Sequence, residues 1–478
     1  MEIYNAKKSI SLYVDLDGTL IKSDLIYEGL FLAIRKSPLI LLHLPFMLLR
    51  GKASLKEKLA DLVTPDPKLL PYNKNVLDQL RSERASGRIL VLATASHKKW
   101  AEVVSNYLLL FDGLIATENG CNLKGRKKLM AIRSCKMNNG KFSYIGDSLA
   151  DMPIWKEAEQ IYAVGLSPKN KKILQRFGKE TVFFDLEQSL LLSAIKALRP
   201  HHCIKNFLLF LPLMMAHSFD TKLWFLVTLG FISFSATASA TYILNDLLDI
   251  ESDRTHPKKK DRPFASGALP CRYGPIIIAA LISISAFTAI FLPLMFKFWL
   301  AIYLFLTVIY SFWLKRKVLV DIFALASLYT IRIIAGGSAV DLNVSNWLLG
   351  VSIFMFTSIA FAKRGIELIN ATPHEDNLLN GRGYRANDLF LVEQIGITSA
   401  FSAVIMLSLY LNSDDVLHLY SRPKLLWGTC LVLMYWLSRF WVKVHRGELY
   451  HDPLVDAVKD PISICCGILV FIIALIAV

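Results

Sequence analysis

Asn245, Asp246, Asp249 and Asp253 recur at steps of three and four in NDLLDIESDRTHPKKKDRPFASG, residues 245 to 267. On a helix that spacing gathers them on one face, where like charges repel by some tenths of a kcal/mol per pair. Mg²⁺ takes hard oxygen ligands and shares them with substrate phosphates, so it is the natural counter-charge. Arg254, Lys258, Lys259, Lys260 and Arg262 follow at once and suit phosphate oxygens. A carboxylate face and a cationic loop together describe a Mg²⁺–diphosphate site. A second set lies far upstream: Asp15-Leu16-Asp17-Gly18-Thr19, Thr94, Lys128, and Gly146-Asp147-Ser148 with Asp151.

The elements that must carry the upstream set are strands. Ser11 to Val14, Ile89 to Ala93 and Phe142 to Ile145 read as short buried strands, each ending at one of these polar clusters. Strands alternating with helices imply a parallel α/β sheet, whose ligand site lies beyond the strand C-termini. The clusters are therefore expected to converge. Their combination resembles the haloacid-dehalogenase (HAD) superfamily of phosphatases. The resemblance implies Asp15 as nucleophile, Asp17 as general acid/base and Thr94 holding the transferring phosphoryl group. It further implies Lys128 neutralising that group, with Lys124 and Lys127 close enough to compete, and Asp147 and Asp151 completing a Mg²⁺ site with Asp15. The insertion from 24 to 74 stands where a cap is expected. Its apolar residues are interrupted by Arg35, Lys36, His43 and Pro45, short of the ~20 needed to span a bilayer. It reads either as a helical cap that touches a membrane surface or as an ordinary buried cap.

The downstream set needs a different frame. The chain has 478 residues, 54% hydrophobic, with a mean hydropathy of +0.42, and its apolar runs lie almost wholly after residue 203. Apolar segments at 205–217, 221–244, 273–293, 296–314, 319–340, 345–362, 393–411, 424–443 and 460–478 read as about nine transmembrane helices. Basic residues collect in alternate connections, which places those loops and the N-terminal domain in the cytoplasm. The net charge of +15 is therefore assigned to membrane contact and not to nucleic acid. The seven cysteines show no disulfide or zinc spacing, and no signal peptide is evident. The expected organisation is a HAD-like domain over 1–185, with a Rossmann-like parallel sheet and helical cap. An amphipathic linker over 186–204 and an all-α membrane domain over 205–478 follow.

The pattern NDxxDxxxDRxHPxKxxRPxASG resembles the first aspartate-rich motif of the UbiA superfamily of intramembrane prenyltransferases. The HP and Lys variant resembles its decaprenyl-phosphate phosphoribosyltransferase branch. RPHHCIKN, residues 199 to 206, resembles the entrance to that family's first helix, with Cys203 in place of a tryptophan. Lys205 and Asn206 become phosphate contacts by that likeness. Tyr310, Lys315 and Asp321 flank one cytoplasmic connection. Arg332 lies inside the fifth apolar segment, which predicts a carboxylate or substrate phosphate as its partner. Lys363, Arg364 and Glu367 resemble a KRxxEL motif of the phosphoribosyltransferase branch, and no second DxxxD motif stands there.

The resemblance implies Mg²⁺ in both domains and transfer of phosphoribosyl from a phosphorylated sugar donor to a polyprenyl phosphate. The fused phosphatase would act on the product or a related phosphate, in a multi-pass inner-membrane protein whose sites face the cytoplasm. Two alternatives stay open: prenyl transfer from an allylic polyprenyl diphosphate to an aromatic or lipid acceptor, and a membrane-anchored HAD phosphatase.

Overall fold

The computed structural model describes residues 10–118, 120, 122–135, 140–185, 189–370, 383–413, 416, 419–449 and 453–478. The chain separates into two compact units. One comprises residues up to Leu198 together with Tyr242–Ile278, and the other comprises Arg199–Thr241 together with Ala279–Val478.

In the first unit six strands form one parallel sheet: β1 Ser11–Val14, β2 Leu90–His97, β3 Gly113–Thr117, β4 Phe142–Gly146, β5 Gln160–Val164 and β6 Glu180–Phe184. Their spatial order is β3-β2-β1-β4-β5-β6. β1 is central and wholly buried, which is why it reads as an unbroken apolar run. Val14 stands level with Leu92 on one side and Ile145 on the other. The Asp15 N–H donates to the Ile145 carbonyl at 3.0 Å, so the ends of β1 and β4 are locked side by side. Two apolar layers, one holding Leu12, Val14 and Trp100 and one holding Tyr13, Tyr144 and Trp155, cover the sheet.

Three strands were legible in sequence and three were not. β2 also continues past Thr94 to His97, so that residue lies within the strand. The insertion folds as α1 Leu25–Lys36, α2 Ile40–Leu49 and α3 Lys52–Leu62. In α2 the residues Leu41, Leu42, Phe46, Leu48 and Leu49 are exposed and Met47 is buried, so this helix does not form the ordinary buried cap. The linker helix begins at Leu190 and ends at Leu198; residues 186–188 lie outside the described residues.

Among the described residues, seven helices are long and apolar enough to cross a membrane, or up to eight when a bent pair is taken as one span. The first apolar segment, 205–217, is not one of them. It is a 3₁₀ helix, Pro200–Phe210, followed by the short α-helix Leu211–Met215. Pro200 and Pro212 each sit at the start of a helical piece, and this division leaves neither piece long enough to span. The last segment is the bent pair Pro453–Lys459 and Pro461–Ala477, which turns through 82°. The nine-segment count is thus approximate.

Candidate functional site

The upstream residues do come together. Asp15, Asp147 and Asp151 offer carboxylate oxygens that all lie within 4.8 Å of one another. Lys128, on the helix Arg126–Ser134, places its ammonium 2.9 Å from Asp15 Oδ2 and 3.6 Å from Asp151 Oδ1. It also donates to the Tyr144 hydroxyl at 2.9 Å, which in turn donates to Asp151 Oδ1 at 2.9 Å. Ser148 holds the other Asp151 oxygen through its N–H at 3.3 Å and its hydroxyl at 3.2 Å. Of the three lysines the sequence left open, Lys128 is the one at the carboxylates.

Gly18 makes the crowding possible: at φ +76° it takes a conformation L side chains avoid, and a Cβ there would stand 2.3 Å from Asp147 Oδ2. Asp17 accepts from the Leu25 N–H at 2.8 Å and from the Ser96 hydroxyl. Thr94 is fully buried, and its oxygen accepts from the Ser96 N–H at 3.0 Å, leaving the hydroxyl proton to donate.

Burial dominates the protonation of this cluster. It pushes Asp15 up to about 7, against the pull of Lys128 and with the push of Asp151. Burial and then Asp24 raise Asp17 to about 6, which suits a carboxyl that must give and take a proton near neutrality. Asp147 is held well above the carboxylate range by burial and then by Asp15 and Asp151. Lys128 loses from burial but gains more from Asp15 and Asp151, so it stays charged. Three crowded hard-oxygen donors that repel one another fit a small divalent cation, which would ionise all three.

The aspartate-rich stretch is arranged differently from its expected single helical face. The long helix Thr221–Leu248 stops, Asp249 takes a non-helical backbone, and a short helix, Ile250–Thr255, follows. Asp246 and Asp253 are buried and bridged by Arg262, whose Nη1 lies 3.1 Å from Asp246 Oδ1 and 2.6 Å from Asp253 Oδ2. Burial raises Asp253, with Arg262 opposing and Asp246 adding to the rise. Among the described residues Asp246, Asp249 and Asp253 do not form a second three-carboxylate cluster like that at Asp15.

Arg262, expected on phosphate, is thus spent on the motif's own acids. Arg254 is committed elsewhere too: its guanidinium grips Glu28 of α1 at 3.0 and 2.6 Å and donates to the Ala265 carbonyl at 2.9 Å. Lys258 lies in the turn that follows, where its N–H donates to His256 Nδ1 at 3.2 Å. Glu28, a residue the sequence did not single out, is legible only as the one acid of its helix, Leu25–Lys36.

In the second unit, Lys205 and Asn206 are buried on the 3₁₀ helix Pro200–Phe210. Arg332 is also buried, but its partners are neutral. Its Nε donates to Asn206 Oδ1 at 2.8 Å, one terminal nitrogen donates to the Tyr303 hydroxyl at 2.9 Å, and the other donates to the Leu328 carbonyl. The Asn206 amide nitrogen donates to Ser235 at 3.0 Å. Lys205 Nζ and the Arg332 guanidinium lie 5.5 and 5.6 Å from the ring of Tyr329. The expected carboxylate partner of Arg332 is therefore not its protein partner. The Arg332 guanidinium, buried and bonded to neutral groups, leaves a positive field that an anion would satisfy.

Arg364 differs from its expected role. It is fully buried, 2.7 Å from Asp321 Oδ2 and paired with Glu367, while Tyr384 donates to Asp321 Oδ1 at 2.6 Å. Lys363 stands beside it on the helix Asn346–Ile369; Tyr310 ends the helix Leu294–Phe312, and Lys315 lies in the turn Leu314–Arg316. Part of the next connection, 371–382, lies outside the described residues.

An uncharacterised protein, y4nM, of Sinorhizobium fredii is 36% identical over 97% of this chain and 90% of its own length. Nodulation protein NoeC of Azorhizobium caulinodans is 35% identical over 57% of this chain and 88% of its own. Decaprenyl-phosphate phosphoribosyltransferase of Mycobacterium tuberculosis is 32% identical over 38% of this chain and 61% of its own, less than two thirds of that enzyme. Among solved structures, a UbiA homologue from Archaeoglobus fulgidus bound to GPP and Mg²⁺ covers 59% of this chain and 99% of its own, at 14% identity and a TM-score of 0.44. A substrate-bound phosphoserine phosphatase covers 36% of this chain and 92% of its own, at 16% identity and a TM-score of 0.25. The UbiA prenyltransferase family model matches residues 207–452, more than half of the chain, and the protein belongs to that family.

Proposed function

We propose that the protein transfers phosphoribosyl from phosphoribosyl diphosphate to a polyprenyl phosphate, and that its N-terminal domain is a phosphatase acting on the product or a related phosphate. The observation that carries the transfer reading is the buried acid pair Asp246 and Asp253 beside Arg262, in a chain whose relatives of named activity include phosphoribosyltransferases. Asn245, Asp246, Asp249 and Asp253 supply hard oxygens of the kind Mg²⁺ takes, and a bound Mg²⁺ would stabilise the departing diphosphate. In the transfer the C1–O bond to diphosphate breaks and a phosphate oxygen of the acceptor bonds to C1. The acceptor is already an anion, so no strong base is needed. Lys205, Asn206 and Arg332 would hold a phosphate head, with Lys363 contributing positive field. The lack of a DxxxD motif in the connection that follows Lys363 favours this branch over prenyl transfer from an allylic diphosphate.

In the phosphatase, an Asp15 oxygen would attack phosphorus while Asp17 gives its proton to the departing alcohol oxygen. Water would then hydrolyse the aspartyl-phosphate, its proton returning to Asp17. Lys128 and Thr94 hold charge and hydrogen bonds at the transferring group. Both sites would face the cytoplasm, a reading that the basic residues of alternate loops support. The domain limits proposed are 1–185 for the phosphatase and 205–478 for the transferase, joined by 186–204.

The test is incubation of the purified protein in detergent with Mg²⁺, labelled phosphoribosyl diphosphate and a polyprenyl phosphate, followed by mass analysis of the lipid. A gain of phosphopentose, or of pentose after phosphatase action, supports the reading. With Asp15→Asn the phosphopentosyl lipid should accumulate. No labelled lipid under any condition, with prenylation of an aromatic acceptor once an allylic diphosphate is supplied, would overturn it.

A further inference from the structure

The segment that carries the aspartate-rich motif does not end as a solvated loop. Gly267, at φ +75°, brings its backbone against Lys22 and Pro71, so that a Cβ there would stand 2.6 Å from the Lys22 Cβ. The Ser23 hydroxyl donates to Cys271 Sγ at 3.5 Å, and Arg254 is clamped by Glu28. These contacts lie within one compact unit and hold residues 254–272 against the stretch that follows Asp17. Arg272, which follows Cys271, is thereby brought beside Asp24.

Arg272 is held unlike Arg254. Its Nη1 lies 3.8 Å from Asp24 Oδ2, with the side chains 43% and 24% exposed. Such a loose, half-exposed pair contributes little to stability. Asp24 adjoins Leu25, whose N–H donates to Asp17 Oδ1 at 2.8 Å, so the guanidinium stands at the edge of the carboxylate site. Asp15, Asp17, Asp24, Asp147 and Asp151 crowd this mouth, and Lys128 is buried among them. A phosphorylated substrate meets a strongly acidic entrance even when a divalent cation is bound. A guanidinium is suited to fork onto phosphate oxygens.

We propose that Arg272, supplied by the transferase part of the chain, is a positioning residue of the phosphatase site, selecting phosphomonoesters that carry a second negative group. The inference rests on the phosphatase reading and deepens it. The phosphatase would then prefer a sugar phosphate already joined to another phosphate over a free one, the selectivity a domain acting after the transferase needs.

The test measures phosphate release by full-length protein in detergent with Mg²⁺, from ribose 1,5-bisphosphate and from ribose 5-phosphate. Arg272→Ala is expected to raise KM for the bisphosphate about tenfold, the scale of one lost charged hydrogen bond, with kcat little changed. KM for the monophosphate should move much less, and Arg272→Lys should recover part of the loss. Asp24→Asn, which removes the loose pair but keeps the cation, should not raise KM for the bisphosphate. Equal effects of Arg272→Ala on both substrates, no effect on either, or an Asp24→Asn protein that matches Arg272→Ala would each overturn the proposal. An Asp15→Asn protein as active as wild type would instead overturn the phosphatase reading beneath it.

Discussion

Arg254 and Glu28, 226 positions apart in the chain, form a two-bond ion pair whose side chains are 7% and 1% exposed. One belongs to the aspartate-rich motif and the other to the first helix of the N-terminal insertion, so the pair fastens two distant segments within one compact unit. Breaking a buried pair from one side leaves a stranded charge and costs about 3–5 kcal/mol. Glu28→Ala should therefore lower the unfolding midpoint strongly in detergent. The double variant Glu28→Ala/Arg254→Ala should lose less than the two single losses combined. Additive losses would mean that the pair contributes no coupling.

Divalent cations should stabilise the phosphatase domain. Mg²⁺ at about a hundred times its dissociation constant adds about 2.7 kcal/mol when it binds only the folded state. Asp147→Asn should abolish the gain. The pH dependence has a defined sign. With EDTA, Asp15 keeps its proton up to about 7 in the folded state, against an ordinary value of 3.8. The folded state therefore holds more protons than the unfolded chain between those values, and stability falls as pH rises through that window. Adding Mg²⁺ at pH 6.5 should release protons, measurable with an indicator dye, while a proton count of zero would count against the site.

Asp321 and Arg364 should matter for stability rather than for substrate affinity. Both side chains are fully buried, and Tyr384 ties Asp321 to the Leu319 N–H, which it accepts at 2.8 Å. Asp321→Ala should cost up to about 3–5 kcal/mol by removing the buried partner of Arg364 and leaving it only Glu367, and Tyr384→Phe about 1–3 kcal/mol by leaving buried groups unpaired. Protein that remains folded should keep its KM. A raised KM with unchanged thermal stability would return Arg364 to the phosphate role read from sequence.

Arg332 is expected to resist conservative replacement. Lysine offers one ammonium and cannot reach Asn206, Tyr303 and the Leu328 carbonyl from one planar group. Arg332→Lys should lower transferase kcat/KM at least about tenfold, on the scale of one charged hydrogen bond. Full activity in that variant would reduce Arg332 to a replaceable charge.

The sequence by itself determined the prenyltransferase family and the strand ends at which the upstream carboxylates stand. Short apolar runs ending at Asp15 and Asp147 can be read because a central parallel strand is buried on both faces and its ligand end is polar. Long apolar segments can be read because a bilayer demands them. Tertiary structure alone decided which lysine joins Asp15, and where the arginines point. Arg254, Arg262 and Arg364 look alike in sequence as phosphate ligands, yet Glu28, Asp246 with Asp253, and Asp321 claim them. The reason is physical: a cation's partner is the nearest acid in space, and chain spacing records only neighbours within a helical turn or along a strand. Arg332 shows the converse. Its burial was evident from its apolar surroundings, but the neutrality of Asn206 and Tyr303 around it emerges only when distant helices pack.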